Sequence, residues 1–296
     1  MTWQTVGFDK NKKLFEEAFK GGELGHAYIF SGPDMIGKRT FALELADLVQ
    51  GSVTGTSPVT HTNVRYGANP DLLIVDQVSS ESGQSITIDE IRKIKNFVSF
   101  KPYAGIYKFV IIDDAHLMTV EAQNALLKTL EEPNSSSIFI LITANPELLL
   151  GTVNSRCQQI NFLPHPKKTI TNVLERSDLS VKNAEFLAEF SNGRIGLASD
   201  IIENKSFNTV KESVQELTDL MKTDINNRLV VAQKLSDIKN EHDLQKKVLY
   251  WLLYARMRLD EPKAPKILKN LLVLHDIIGQ PQFNKRLALE NFLIKL

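Results

Sequence analysis

The chain has one cysteine, Cys157, in 296 residues. A lone thiol excludes an intrachain disulfide and any multi-thiolate metal site, and it suits a reducing compartment. Long apolar runs are missing too: none approaches the roughly 18 residues that read as a membrane span. Net charge is absent, with 35 Lys+Arg against 35 Asp+Glu. No overall basicity advertises nucleic acid, although a locally basic surface fits within that balance. Met1-Thr2-Trp3-Gln4 lacks the charged-then-apolar order of a signal peptide. The expectation is a cytoplasmic protein with no membrane partner. There is no internal repeat and no low-complexity tract. What remains is an ordinary globular composition, 43% hydrophobic and 24% charged, in a chain long enough for two or three domains.

The densest information lies between Phe109 and Cys157. Phe109-Val110-Ile111-Ile112 is too short for a helix and rich in β-branched residues, as in a strand of a parallel sheet buried on both faces. It ends in Asp113 and Asp114, where open α/β sheets place ligands and metal ions. Thr119 is a fitting N-cap for a helix whose apolar positions Met118, Ala122, Leu126 and Leu130 step by four until Pro133 stops it. A second buried strand, Ile138–Ile142, runs into Thr143-Ala144-Asn145. The stretch closes on Ser155-Arg156-Cys157.

Upstream, residues 1–25 read as an amphipathic lead-in helix with Leu14 and Ala18 inward and Phe15 and Phe19 as secondary candidates, ended by Gly21-Gly22. His26–Phe30 is a first strand. It leads into Ser31-Gly32-Pro33-Asp34-Met35-Ile36-Gly37-Lys38-Arg39-Thr40, a phosphate-binding loop pattern up to Lys38, followed by a helix through Val49. Gly32 and Gly37 let the backbone curl so that N–H groups face phosphate, and the helix N-terminus adds positive potential. Lys38 is placed to reach terminal phosphates. Directly after it, a standard loop has Ser or Thr to hold Mg²⁺, and here Arg39 stands. Thr40 is one position too far and turned about 100° away on a helix.

Gln50–Ala68 is Gly-, Ser- and Thr-rich and reads as a loop. Leu72–Val75 is a strand, Ser79–Ser85 a polar linker, and Glu90–Phe100 a helix with Ile91, Ile94 and Val98 inward. A last strand spans Gln159–Leu163 before the natural boundary Pro164-His165-Pro166. Beyond it the pattern is helical. Its stripes include Val210, Val214, Leu217 and Met221, then Leu244, Val248, Leu252, Ala255 and Leu259. From 207 onward there are 15 basic and 11 acidic residues, too mild a bias to claim DNA contact.

Asp113-Asp114-Ala115-His116, the run Asn124–Pro133, Thr143-Ala144-Asn145 and Ser155-Arg156-Cys157, in that order and spacing, closely resemble the clamp-loader branch of the AAA+ family. The resemblance implies an α/β P-loop domain, a parallel sheet flanked by helices, over 1–165. A small helical lid over 166–206 and an all-α collar that joins subunits over 207–296 follow. In that family's terms Asp113 and Asp114 form the Walker B segment, Thr143 is sensor 1, and Arg156 is an arginine finger. Asp114 stands where the usual Glu polarises the attacking water and is one methylene shorter. Gly196 takes the place of the sensor 2 arginine, with Arg194 reading as a surface residue two positions earlier. Relatives carry a four-cysteine zinc module within 50–68; His61 stands there alone, so no zinc and no other metal is assigned.

These departures leave Gly32, Gly37, Lys38, Arg39, Thr40, Asp113, Asp114 and Thr143 as a degenerate nucleotide site that binds ATP or ADP, if at all, without hydrolysis. The resemblance then implies a non-hydrolysing subunit of the bacterial DNA polymerase III clamp loader, cytoplasmic, donating Arg156 in trans. Its partners are the ATPase (gamma/tau) and delta subunits and, through the assembly, the sliding clamp and primer-template DNA. The residues leave other readings open. One is a working P-loop ATPase or nucleotide kinase that uses Lys38, Thr40 and Asp113. Another is a protein-remodelling motor, against which Ser155-Arg156-Cys157 and the helical tail argue. For Arg156 itself the plain reading is a salt bridge at a domain edge.

Overall fold

The computed structural model describes residues 3–54, 69–76, 85–177, 179–237, 241–278 and 283–296. The expected positions of His61, most of the Ser79–Ser85 linker and Gly279-Gln280-Pro281 lie outside the described residues. The chain divides into two compact units, one of 1–169 with 194–196, the other of 170–193 with 197–296.

The first unit is built on five parallel strands: β1 (Ala27–Ser31), β2 (Leu72–Val75), β3 (Lys108–Ile112), β4 (Ser137–Thr143) and β5 (Gln158–Asn161), in the order β2-β3-β4-β1-β5. Around it lie α1 (Asp9–Gly21), α2 (Lys38–Thr54), α3 (Ile88–Ser99), α4 (Val120–Glu131) and the single turn α5 (Gly151–Asn154). Every residue of β3 and β4 is buried, as continuous apolar runs require in a sheet covered on both faces. Alternation then divides each run. Phe109 and Ile111 join a core with Phe15, Phe30, Phe41 and Phe162. Val110 and Ile112 join the opposite core with Ile91, Ile94, Ala122 and Leu126. Each fully buried side chain of this size contributes about 1.5–3 kcal/mol.

Local signals place the helices. Thr119 caps α4 by accepting the Ala122 amide at 3.2 Å. Thr87 and Glu90 form a capping box on α3, the Thr87 amide donating to the Glu90 carboxylate at 2.8 Å. Gly22, in the left-handed conformation, closes α1. Four expectations are corrected. Leu14 is exposed and Phe15 is the buried residue of α1, because one helical step is 100° and only one of two adjacent positions can face the sheet squarely. α2 continues to Thr54, so Gln50–Thr54 is helical; Gln50 is buried, with its amide within 3.4 Å of the Asp71 and Tyr107 carbonyls. β5 ends at Asn161, and Leu163 is exposed beyond it. Leu259 lies past its helix and is also exposed.

The second unit is helical among the described residues. Its elements are α6 (Lys167–Leu174), α7 (Val181–Phe190), α8 (Ile195–Glu203), α9 (Phe207–Lys222), α10 (Ile225–Ser236), α11 (Glu241–Met257), α12 (Ala264–Ile278) and α13 (Lys285–Ile294); the first residues of α6 and α8 count with the first unit. Trp251 anchors its core, fully buried, with its indole N–H donating to the Ser213 carbonyl at 2.8 Å and its ring stacked on Phe292. α7 shares this core: Phe186 meets Phe207, and Phe190 meets Tyr250.

Candidate functional site

β1 lies between β4 and β5, so the loop that leaves its carboxyl end emerges inside the sheet edge. The turn needs conformations that L side chains avoid: Gly32 has φ 148°, Met35 φ 61° and Gly37 φ 103°. Gly32 is also steric, since a Cβ there would meet the Phe162 carbonyl oxygen at 2.2 Å. The Gly32 amide donates to the Thr143 carbonyl at 3.2 Å, tying the loop to the end of β4. On its far side the Met35 carbonyl accepts the Gly196 amide at 2.7 Å. A Cβ at 196 would lie 2.6 Å from that oxygen, so a side chain there would force the two backbones apart. His165 braces the same loop, its Nε2 donating to the Ile36 carbonyl at 3.0 Å.

Lys38 opens α2 and is buried. Its ammonium donates to the carbonyls of Gly32 and Pro33, the latter at 2.8 Å, and lies 3.9 Å from Asp34. Burial lowers its pKa, with the charge of half-buried Arg194 acting the same way; Asp34, Asp113 and Asp114 oppose them. Arg194, read from the sequence as a surface residue beside a turn, is half-buried. Thr40 is exposed on α2.

Arg39 is the decisive side chain. Its two terminal nitrogens reach separate carboxylates, Asp113 at 2.9 Å and Asp76 at 3.0 Å. Burial works against its charge, but Asp113 and Asp76 together outweigh it and raise its pKa. Asp114 has a left-handed backbone, φ 48°. Burial, then the charges of Asp113 and Asp34, raise its pKa. Thr143 is buried, its hydroxyl 3.2 Å from Nδ1 of His116 while accepting the Asn145 amide at 3.0 Å.

Gly32, Gly37, Lys38, Arg39, Asp113, Asp114 and Thr143 therefore gather at one sheet edge, as the sequence order implied. Arg156 stands apart from them after α5. Its guanidinium pairs with Glu131 at 2.6 Å and donates to the Thr152 carbonyl at 2.9 Å, with about a third of its side chain exposed. Burial pushes the neighbouring Cys157 thiol up to about 12, so it is no nucleophile at neutral pH.

Residues 8–166 match the family described as DNA polymerase III, delta subunit. The chain belongs to that family. It is 36% identical over 162 residues to DNA polymerase III subunit tau of Bacillus subtilis, covering 53% of this chain and 28% of the relative. It is 32% identical over 213 residues to subunit delta' of the same organism, covering 71% and 63%. The chain thus spans less than two thirds of either relative. A solved gamma subunit-related protein from Thermotoga maritima overlays 95% of this chain and 97% of that one with a TM-score of 0.56 at 23% identity, a likeness of fold. The α/β class, a parallel sheet flanked by helices with a helical remainder, is the architecture observed.

Two carboxylates that hold neighbouring groups in place escape the motifs. Asp76 follows β2 just as Asp113 follows β3, and an acid directly after a short apolar run was the available signal. Asp71, buried before β2, accepts the amides of Tyr103, Ala104 and Gly105 at 2.7, 2.8 and 3.2 Å. It thereby shapes the 101–105 turn ahead of β3. No group of three or more His, Cys, Asp or Glu suited to a metal occurs among the described residues. Nor does any described helix have the length and apolarity to cross a membrane.

Proposed function

We propose that this chain is a delta'-type subunit of the DNA polymerase III clamp loader. In this reading it joins ATPase (gamma/tau) and delta subunits in the cytoplasm and helps place a sliding clamp on primer-template DNA. It contributes Arg156 to a neighbour's ATP site and does not hydrolyse ATP itself. The helices from 207 onward form the collar that joins the subunits. Family membership supports the assembly, and the Arg39 clamp on Asp113 supports the division of labour. With the first carboxylate of Walker B already holding a guanidinium, and Asp114 one methylene shorter than the usual Glu, the chain's own site lacks the parts that activate water. Arg156 needs none of them. A planar guanidinium carries charge and paired donors to a γ-phosphate, and such a finger is worth about 10³–10⁵ in phosphoryl-transfer rate.

The test is reconstitution with the ATPase and delta subunits. Arg156→Ala is expected to assemble normally while lowering DNA- and clamp-stimulated ATPase and clamp loading. Normal assembly with clamp loading at the wild-type rate would end the trans-finger reading. Robust ATP turnover by the isolated chain, abolished by Lys38→Ala, would promote the enzyme reading instead.

A further inference from the structure

Asp76 and Asp113 lie at the carboxyl ends of neighbouring parallel strands whose last residues, Val75 and Ile112, are in register. The Asp113 amide donates to the Val75 carbonyl at 2.8 Å, which holds the two carboxylates side by side. Both are mostly buried, their side chains 17% and 16% exposed. Two adjacent carboxylates at such an edge demand a cation, because their mutual repulsion is only weakly screened out of water. Arg39 supplies it with one fork-shaped group at 3.0 and 2.9 Å.

A divalent ion does not fit beside it. Mg²⁺ takes near-octahedral oxygen ligands at about 2.0–2.1 Å. Its protein ligands here would have to be Asp113, now engaged by Arg39, and a hydroxyl at position 39, where there is none. Thr40 is exposed on the next helical step. The loop itself keeps its phosphate-binding form, with Gly32 and Gly37 at positive φ, the N-terminus of the 17-residue α2, and the Lys38 ammonium. A guanidinium has five N–H donors, and the two carboxylate contacts leave others on a side chain 44% exposed.

We propose that Arg39 is a built-in counter-ion in place of the divalent cation, so that the 31–38 loop takes the phosphate chain of a nucleoside di- or triphosphate without Mg²⁺ and keeps it intact. This goes beyond the role given to Arg156, and either can fail while the other stands.

ADP and ATP binding to the full chain, measured by calorimetry in excess MgCl₂ and in EDTA, tests it. The expected affinities agree within about twofold between the two buffers, and Lys38→Ala weakens both about tenfold or more. Arg39→Thr restores the metal-binding hydroxyl and frees Asp113, so its ATP affinity should fall about tenfold or more on going from MgCl₂ to EDTA. With Mn²⁺ as a paramagnetic probe, ATP should recruit the ion to the loop of Arg39→Thr and not of the wild type. Arg39→Lys keeps a positive charge and should remain metal-independent, which leaves a readable variant if Arg39→Thr fails to fold. Wild-type binding that collapses in EDTA, Mn²⁺ recruited by the wild-type loop, or no nucleotide binding in either buffer would each overturn the proposal.

Discussion

Arg156 rests on the carboxylate of Glu131 at 2.6 Å. Glu131 is the last residue of α4, and Arg156 follows the single turn of α5. The Thr152 carbonyl accepts from the same guanidinium, so the side chain is held at two points while partly open to solvent. The plain salt-bridge reading of this arginine is thus true as geometry. It does not compete with a role in trans, because a held guanidinium loses less freedom on meeting a phosphate.

Glu131→Gln and Arg156→Ala are each expected to lower stability by less than about 1 kcal/mol, since an exposed pair is screened and contributes little. Urea unfolding of the isolated chain measures this. Arg156→Lys is expected to rescue the assembly's ATPase poorly, because an ammonium lacks the planar pair of donors. A large stability loss in Arg156→Ala would assign the residue to folding.

Asp47 is buried on α2 with one carboxylate oxygen lacking a hydrogen-bond partner. Burial, then the Glu44 charge, lifts its pKa from 3.8 to about 7. Its folded pKa is therefore above its unfolded one. The protonated carboxyl's contribution is complete below about pH 4 and is lost as pH rises through about 7. Asp47→Asn should add on the order of 2 kcal/mol at pH 8 and nothing comparable at pH 4. Denaturant midpoints at the two pH values decide the matter. Equal effects at both would refute the titration.

Three glycines should respond differently to alanine. Gly32→Ala meets the Phe162 carbonyl at 2.2 Å with φ at 148°, and a loss of about 3 kcal/mol or more is expected. Gly22 has open space but φ 68°, so the cost is about 1 kcal/mol. Gly151 opens α5 with open space and no positive φ, and alanine there should stabilise by about 0.4–1 kcal/mol. Thermal melts of the three variants give the ranking.

Removing residues 207–296 strips Phe207 from Phe186 and Tyr250 from Phe190. The 1–206 fragment is expected to bind a hydrophobic dye, whereas the 170–296 fragment should unfold cooperatively, followed by the fluorescence of buried Trp251. A 1–206 fragment without dye binding and a 170–296 fragment without a transition would reverse the assignment of α7 to the helical core.

Much was legible in the sequence because its causes are local. The runs at 109–112 and 138–142 name buried strands by length and β-branching. Gly32 and Gly37 announce a turn with positive φ, and Thr119 a cap. Even Arg39's failure as a metal-binding position could be read, since it depends only on which residue follows Lys38. What Arg39 does instead could not. Its partners lie 37 and 74 positions away, on strands that the sheet order brings together, and no spacing along the chain encodes that meeting. Leu14 against Phe15 is a case of another kind: both suit an inward face, and only the packing of α1 decided which of two neighbours turns in. The sequence by itself determined the strands, the loop and the lost hydroxyl, all set by neighbours within a few residues. The tertiary structure alone decided which carboxylates share a cation and where Arg156 rests, because charges pair through space and the order of strands is what sets that distance.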